Sequence, residues 1–232
     1  MKVIRTESAF EELFGFQLFI TKLINRNYLA NKRILDIGCG FGWFENSAIK
    51  QKVKNIVGMD ISEEELKIAG AVNNASVNFV VGSAISLPFK NNTFDTVVSW
   101  EVIEHIPKHT EPKMFSEVYR VLKPGGFFFC STQHANFIST ILDPAWWLIG
   151  HRHYRTETLI SLIESSGLKV QQYYLKGGLF SIVYTLNLYI SKWIFRRDAF
   201  LKTFLYKKLT EEFISGQGYA DIILKCFKPY ES

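Results

Sequence analysis

One short stretch of the chain combines a carboxylate with three closely spaced glycines, at Asp36, Gly38, Gly40 and Gly42. It continues an apolar run typical of a strand and precedes a helical pattern. Glycines at this spacing let the backbone turn sharply and let a ligand lie against bare main chain. At the carboxyl end of a strand in an α/β sheet, a nucleotide-like ligand is expected. An ordinary strand–turn–helix without a ligand is the alternative.

The spacing of the glycines distinguishes two kinds of nucleotide. Dinucleotide sites that bind a pyrophosphate have G-x-G-x-x-G, whereas this stretch has G-x-G-x-G and Trp43 stands where the third dinucleotide glycine belongs. A carboxylate at Asp36 would repel a pyrophosphate and attract a cation. S-adenosylmethionine carries a sulfonium and an ammonium and no phosphate. The stretch therefore suits that ligand better than NAD.

A second acid, Asp60, ends the next predicted strand. It follows the glycine loop at about the distance at which an acid meets a ribose in nucleotide-binding α/β units. The alternative is an acid at the entry of a helix, because Ser62 and Glu65 form a capping box directly after it. Ser62 already fills the cap position, which favours the ribose role for Asp60.

Apolar runs alternate with helical patterns along the chain, which implies a parallel, right-handed wound sheet. We therefore expect an α/β, Rossmann-like doubly wound fold with seven strands. The predicted strands cover 34–37, 56–60, 77–81, 93–100, 127–132, 168–175 and 219–227. Helices are predicted over 9–29, 43–51, 111–122 and 157–166.

Length and composition fit one globular domain. The chain has 232 residues, and its net charge of +5 weakly favours an anionic partner. Its three cysteines are far apart and form no C-x-x-C pair, which argues against a disulfide framework or a zinc site and fits a reducing cytoplasm. The first residues contain no long apolar run, so we expect no signal peptide and a cytoplasmic location.

Four blocks of sequence, in this order, resemble the class I S-adenosylmethionine-dependent methyltransferases of the type 11 or ubiquinone-biosynthesis-like kind. The blocks are Leu35-Asp36-Ile37-Gly38-Cys39-Gly40-Phe41-Gly42, Gly58-Met59-Asp60-Ile61-Ser62, Leu87-Pro88-Phe89 through Phe94-Asp95 to Glu104-His105-Ile106, and Leu122-Lys123-Pro124-Gly125-Gly126. The resemblance covers roughly residues 30 to 175. It implies S-adenosylmethionine as the cofactor and an antiparallel pair formed by the last two strands.

The resemblance also implies which residues hold the methionine and ribose parts of the cofactor. Asp36, Gly38 and Gly40, with Cys39 between the glycines, would cradle the methionine part. Asp60 would bind the ribose.

The adenine and the sulfonium are assigned in the same way. Ile61 would lie against the adenine, and Ser83 and Ala84 would lie near it. Ser99 and Trp100 would lie beside the sulfonium. The family usually has an acid where Ser83 stands, and an uncharged hydroxyl is a weaker acceptor by about 1 kcal/mol.

An insertion is expected before the last strand, because the family has a short turn where this chain has the long connection Gly177 to Gly218. We expect one domain over 1–232, with an N-terminal helical cap over 1–30 and an amphipathic helical insertion over 178–217. Apolar residues recur at helical spacing in the insertion, and basic residues flank them at Lys192, Arg196, Arg197, Lys202, Lys207 and Lys208.

An apolar stripe with a basic flank is typical of a helix that lies on an anionic membrane surface, here over 179–213. A lid over the substrate pocket or a face of a homodimer is the alternative. A membrane span is disfavoured, because it needs about 20 apolar residues. Nucleic acid is disfavoured because the aromatic residues follow the apolar stripe and form no base-stacking platform.

Methyl transfer from a sulfonium is an in-line displacement, so the enzyme mainly aligns the reactants and requires no metal. A hydroxyl acceptor would benefit from a general base. His105 and His153 are the predicted catalytic candidates, and His134 and His151 offer the same imidazole chemistry. The structural alternative for His105 is a hydrogen bond within the Glu104-His105 turn. The alternative for His153 is packing of the loop that holds it.

The sequence thus predicts methyl transfer from S-adenosylmethionine to a small or lipid-linked acceptor, preferably at oxygen. A non-catalytic S-adenosylmethionine-binding protein is one alternative, and a nicotinamide-dependent oxidoreductase is the second. No motif identifies the acceptor.

Overall fold

A seven-stranded sheet forms the centre of the molecule, in the order β3-β2-β1-β4-β5-β7-β6. The computed structural model describes residues 13–72 and 74–230. β7 is antiparallel to both of its neighbours and the other pairs are parallel, which confirms the predicted fold class. The strands are β1 Arg33–Ile37, β2 Asn55–Asp60, β3 Val77–Val81, β4 Phe94–Trp100, β5 Leu122–Gln133, β6 Lys169–Lys176 and β7 Asp221–Phe227.

Helices cover both faces of this sheet and its carboxyl edge. Of the predicted helix over 9–29, residues 9–12 lie outside the described part, and the rest is two helices because the Asn25 side chain caps a new start at Arg26. The helices are α1 Gly15–Leu23, α2 Arg26–Leu29, α3 Trp43–Ala48, α4 Glu63–Ala69, α5 Glu111–Val121, α6 Phe137–Ile141, α7 Pro144–Ile149, α8 Thr156–Glu164, α9 Leu179–Trp193 and α10 Lys202–Ser215.

Two apolar clusters form the core, one on each face of the sheet. Side chains alternate between the faces along β5, so Phe128 belongs to one cluster and Phe129 to the other. β4 is buried almost throughout, as expected for a central parallel strand covered on both sides.

The N-terminal helix and the insertion pack together over the carboxyl edge of the sheet, and we call α1, α9 and α10 the helical roof. Phe14 stacks on Tyr206 with ring centroids 3.5 Å apart. The Gly15 N–H donates to Thr210 Oγ1 at 2.9 Å. A side chain at Gly15 would meet Leu209, so α1 and α10 approach closely only because glycine stands there. None of the helices within 13–72 and 74–230 is long and apolar enough to span a membrane.

One carboxylate joins the two insertion helices. Glu212 of α10 accepts hydrogen bonds from the N–H groups of Gly178, Phe180 and Ser181 at 2.8 to 3.0 Å. The first N–H groups of a helix have no partner within the helix. A carboxylate at the amino end of α9 therefore both satisfies these donors and complements the helix dipole.

We expect Glu212→Ala to lower the free energy of unfolding by about 1–3 kcal/mol, because it leaves these partly buried N–H groups without an acceptor. Urea denaturation followed by circular dichroism measures the change. Glu211→Gln on the same helix is the control, because Glu211 is exposed and forms a surface ion pair with Lys208. Equal stability of the two variants would contradict the assigned role of Glu212.

Candidate active site

The glycine loop leaves β1 at the carboxyl edge of the sheet and returns into α3. Gly38, Gly40 and Gly42 all have positive φ, at 75°, 51° and 79°, which favours glycine strongly. A side chain at Gly38 would collide with Val102. The N–H groups of Gly38 and Cys39 donate to Met59 O at 2.7 and 3.1 Å, which ties the loop to the end of β2.

Asp60 lies at that same end of β2. Its Oδ2 accepts from the Gly40 N–H at 3.0 Å, and its Oδ1 accepts from the Ser62 N–H at 2.9 Å. The Ser62 hydroxyl caps α4 by accepting from the Glu65 N–H at 3.2 Å. Asp60 therefore orders the helix entry, and each of its carboxylate oxygens can accept one more hydrogen bond. The ribose role stays a prediction.

Two carboxylates are buried beneath the glycine loop. Asp36 and Glu45 are each at most 1% exposed. The two side chains are hydrogen-bonded to each other, which requires that one of them carries a proton. Burial raises the pKa of Asp36 well above its usual range, and it raises the pKa of Glu45 to about 8. Sequence reasoning missed Glu45, although its position three residues into the loop helix placed it near Asp36.

The other predicted cofactor residues lie at or just after the ends of β2, β3 and β4. Ile61 is 77% exposed directly after β2. Ser83 and Ala84 follow β3, where Ser83 O accepts from the Ser86 N–H at 3.0 Å. Ser99 is buried in β4 and pairs with Ile37 of β1.

Trp100 ends β4, and its side chain is buried in the core. Its ring lies 6.1 Å from that of Phe16 and 6.0 Å from that of Phe44. Its indole N–H has no partner among the residues described. The predicted place of Ser99 and Trp100 beside a sulfonium stays a prediction.

A cavity of about 350 Å³ lies between the helical roof and the sheet edge. Its upper wall is mainly aromatic and aliphatic, and its floor is polar. The lining from the roof and the residues just before it includes Leu13, Phe14, Phe16, Tyr184, Leu209 and Phe213. The lining from the sheet edge is Trp43, Glu101, Gln133 and Asp221. Trp43 belongs to the first turn after the glycine loop, so the cavity reaches the predicted cofactor site.

The polar floor is a connected set of side chains. Glu101 accepts from Ser131 Oγ at 2.5 Å and from Gln133 Nε2 at 2.7 Å, and the same Gln133 Nε2 lies 3.0 Å from Asp221 Oδ1. Burial, and then the nearby charge of Glu101, raises the pKa of Asp221 well above its usual range. Glu101 has a φ of 54°, and such strain in a non-glycine residue is concentrated at functional sites.

A smaller cavity of about 130 Å³ shares Gln133 and Asp221 with the first and reaches His151. His151 Nδ1 lies 3.0 Å and His153 Nε2 2.9 Å from the same oxygen of Asp143. Burial alone would raise the pKa of Asp143, but the hydrogen bonds from both histidines outweigh it and hold the pKa well below its usual range.

The two predicted catalytic histidines lie in different surroundings. His153 is nearly buried, and its second ring nitrogen lies 3.2 Å from Thr140 Oγ1, so both ring nitrogens are engaged. His105 is exposed after β4, and its ring lies 4.8 Å from that of His151. His151 lines the smaller cavity. The feature of the sequence that pointed to His151 was the cluster His151-Arg152-His153. The catalytic assignments of His105 and His153 stay predictions.

Residues 35–130 match the family model described as a methyltransferase domain. Norajmaline N-methyltransferase of Rauvolfia serpentina is 39% identical over 99 residues, which are 40% of this chain and 33% of that protein. The 24-methylenesterol C-methyltransferase 2 of Arabidopsis thaliana is 35% identical over 102 residues, 42% of this chain and 28% of that protein. The chain thus spans about a third of the length of these curated relatives.

Among solved structures, the S-adenosylmethionine dependent methyltransferase from Mesorhizobium loti aligns with a TM-score of 0.60 at 18% identity, covering 87% of this chain and 93% of its own. This likeness confirms the fold class. The family match confirms the resemblance seen in the four sequence blocks, in that residues 35–130 form a methyltransferase domain. The relatives' names include transfer to nitrogen and to carbon, so the preference for oxygen stays a prediction.

We expect the pH dependence of stability to report the buried acids. Glu45 binds its proton more tightly in the folded chain than in the unfolded chain, since its folded pKa is raised to about 8. Its contribution to stability is therefore present below its ordinary pKa and is lost as the pH rises through about 8. Asp36, Cys39 and Asp60 are the titratable groups around it.

Glu45→Gln should reduce the loss of unfolding free energy between pH 6 and pH 9 by more than about 1 kcal/mol. Denaturant unfolding at a series of pH values measures this loss. The exposed Glu64→Gln is the matched control and should keep the wild-type slope. An unchanged slope in Glu45→Gln would show that Glu45 is already ionised in the folded chain.

Proposed function

We propose that this chain, which contains a class I S-adenosylmethionine-dependent methyltransferase domain, transfers the methyl group of S-adenosylmethionine to a small apolar or lipid-linked acceptor. The observation that carries the proposal is the cavity between the helical roof and the sheet edge. It reaches Trp43 beside the glycine loop, and its upper wall is mainly aromatic and aliphatic, with Gln17, Ser181 and Thr185 as polar members. A cavity of about 350 Å³ falls within the usual range for small-molecule sites.

In this proposal the cofactor lies along the carboxyl edge of β1, β2 and β4. Its sulfonium supplies an electrophilic methyl group. The glycine loop, with Asp36, Gly38, Cys39 and Gly40, holds the methionine part, and the buried Asp36 and Glu45 favour its positive charges. Asp60 accepts from the ribose. The exposed Ile61 covers the adenine, with Ser83 and Ala84 beside it, while Ser99 and Trp100 form the wall next to the sulfonium.

We place the acceptor between the roof and the polar floor, with its reacting atom toward Glu101 and Gln133. An oxygen acceptor fits this floor, because a hydroxyl can donate to a carboxylate and must lose its proton during transfer. The apolar wall excludes water from the reacting centre and favours a hydrophobic acceptor body. Its chemical class is further supported by a sterol methyltransferase among the relatives.

The outer surface of the insertion favours contact with an anionic membrane. Trp193, Ile194 and Phe195 at the end of α9 are 47%, 70% and 56% exposed, and the basic pair Arg196–Arg197 follows them. An exposed apolar patch of this kind marks an interaction site, and adjacent positive charge complements acidic headgroups. We therefore propose peripheral binding at the inner membrane surface from a cytoplasmic location, with a homodimer face as the alternative.

Cofactor binding is tested by calorimetry of the purified chain with S-adenosylmethionine, S-adenosylhomocysteine and NAD. We expect micromolar binding of the first two and none of NAD. Asp60→Ala should weaken binding at least tenfold, about 1.4 kcal/mol, by removing the ribose acceptor. Ser83→Asp should strengthen it by up to about fivefold, because an ionised acceptor binds an amino group more tightly. Failure of both sulfur ligands would overturn the proposed function.

Membrane contact is tested by flotation of the full chain with vesicles of phosphatidylcholine, with and without phosphatidylglycerol. We expect flotation with the anionic vesicles and its loss in the double variant Ile194→Glu, Phe195→Glu. Ile68→Glu is the control, since Ile68 is an exposed apolar residue of α4, far along the chain from the insertion. Failure of the wild-type chain to float with anionic vesicles would rule out the membrane role.

A further inference from the structure

Asp36 and Glu45 reach the same space from two different elements. Asp36 belongs to β1, and its partner in the register with β2 is Gly58. Because successive side chains point to opposite faces of a sheet, residues paired between parallel strands direct theirs to the same face. A side chain at Gly58 would begin 2.5 Å from Glu45 Oε1. The carboxyl group of Glu45 therefore fills the space beside Asp36 that the glycine leaves open.

This arrangement gives the two acids one proton to share. Both side chains are at most 1% exposed and are hydrogen-bonded to each other. Ionised carboxylates only accept, so a hydrogen bond between two of them requires a proton on one. Two carboxylates in one buried site do not both ionise without a compensating positive charge. In the absence of a ligand, Asp36 and Glu45 thus hold at least one proton between them.

The titratable groups that face this pair supply no positive charge. Asp60 ends β2, and its charge raises the pKa of both acids further. Burial raises the pKa of the Cys39 thiol in the glycine loop, which therefore stays neutral. From α4, Glu65 Oε2 lies 3.1 Å from the position of a side chain at Gly40. A cationic ligand at the loop is the charge that would let the pair ionise.

We propose that cofactor binding releases the proton shared by Asp36 and Glu45, with Glu45 as a positioning residue that keeps this proton beside Asp36 until the cofactor arrives. This inference rests on the proposed function, in which Asp36 holds the methionine part. The ammonium of that part donates to the Asp36 carboxylate, the O–H bond of the shared acid breaks, and the proton goes to the solvent. The pair gains one negative charge, which the ammonium compensates.

The affinity for the cofactor should then rise with pH. The free chain keeps the shared proton below the raised pKa of Glu45, which is about 8. The bound chain lacks this proton, so affinity should increase by up to about tenfold for each pH unit in that range. The useful window ends at about pH 7.5, because an α-amino group has an ordinary pKa of about 7.7–8.0 and the ligand begins to lose its own proton there.

The decisive measurement is calorimetry of the full wild-type chain at pH 7 in phosphate and in Tris, two buffers with different ionisation enthalpies. The dependence of the binding enthalpy on the buffer gives the number of protons released. We expect about 0.5–1 proton for each S-adenosylhomocysteine bound, because this ligand keeps the ammonium. We expect none for 5′-methylthioadenosine, which has the nucleoside and the sulfur without the ammonium. Binding of S-adenosylhomocysteine without proton release, or equal release with both ligands, would overturn the inference.

The variant Glu45→Gln tests the role of Glu45 itself. Its amide donates to Asp36 without sharing a proton, so the number of protons released should fall below about 0.2. Its affinity should change less than about twofold from pH 6 to pH 7.5, where the wild-type affinity rises at least about tenfold. A merely structural role would weaken binding equally at every pH and leave the proton count as in the wild type. The exposed Glu64→Gln on α4 is the control and should keep the wild-type proton count.

The outcomes keep this inference separate from the proposed function. Failure of the wild-type chain to bind either sulfur ligand would overturn the proposed function. Binding without proton release, or a wild-type proton count in Glu45→Gln, would overturn only the role of the acid pair. Should Glu45→Gln fail to fold, the comparison of the two ligands on the wild-type chain still decides.

Discussion

The contact of the glycine loop with the end of β2 fixes the rest of the site. Gly38 and Cys39 donate to Met59 O, and Gly40 donates to Asp60, so the turn after β1 and the acid after β2 are held as one unit. Only glycine fits this turn, because the backbone is left-handed and Val102 occupies the space of a side chain. Parallel strands then place the ends of β4 and β5 along the same edge.

Several acidic side chains are buried along that edge. Asp36, Glu45, Glu104 and Asp221 are all buried, and each has a pKa raised first of all by its burial. A fold does not gain stability from unpaired buried acids. In the proposed function, the positive charges of the cofactor account for the two acids beneath the glycine loop. The net positive charge of the chain is carried elsewhere, including the exposed end of the insertion.

The helical roof covers this edge and lines the cavity above it. Glu212 holds the start of α9, and Phe14 and Gly15 hold α1 against α10. The roof therefore forms from the two parts of the chain that lie outside the methyltransferase-domain match at 35–130. In the proposed function, the domain covered by that match positions the cofactor, and the roof outside it shapes the acceptor cavity. This division agrees with relatives whose names carry different acceptors.

The sequence by itself determined the sheet, its order of elements and the glycine loop, because these depend on local patterns of apolar residues and glycine. It placed Asp36, Asp60 and the capping Ser62 correctly relative to their strands. It did not place the end of the helix that begins the roof, since Asn25 starts a new helix within the predicted one, and it missed α6 and α7. Only the tertiary structure decided that Glu45 lies beneath the loop and that His151 meets Glu104. Those contacts join residues from separate elements, and their spacing in the chain carries no periodic signal.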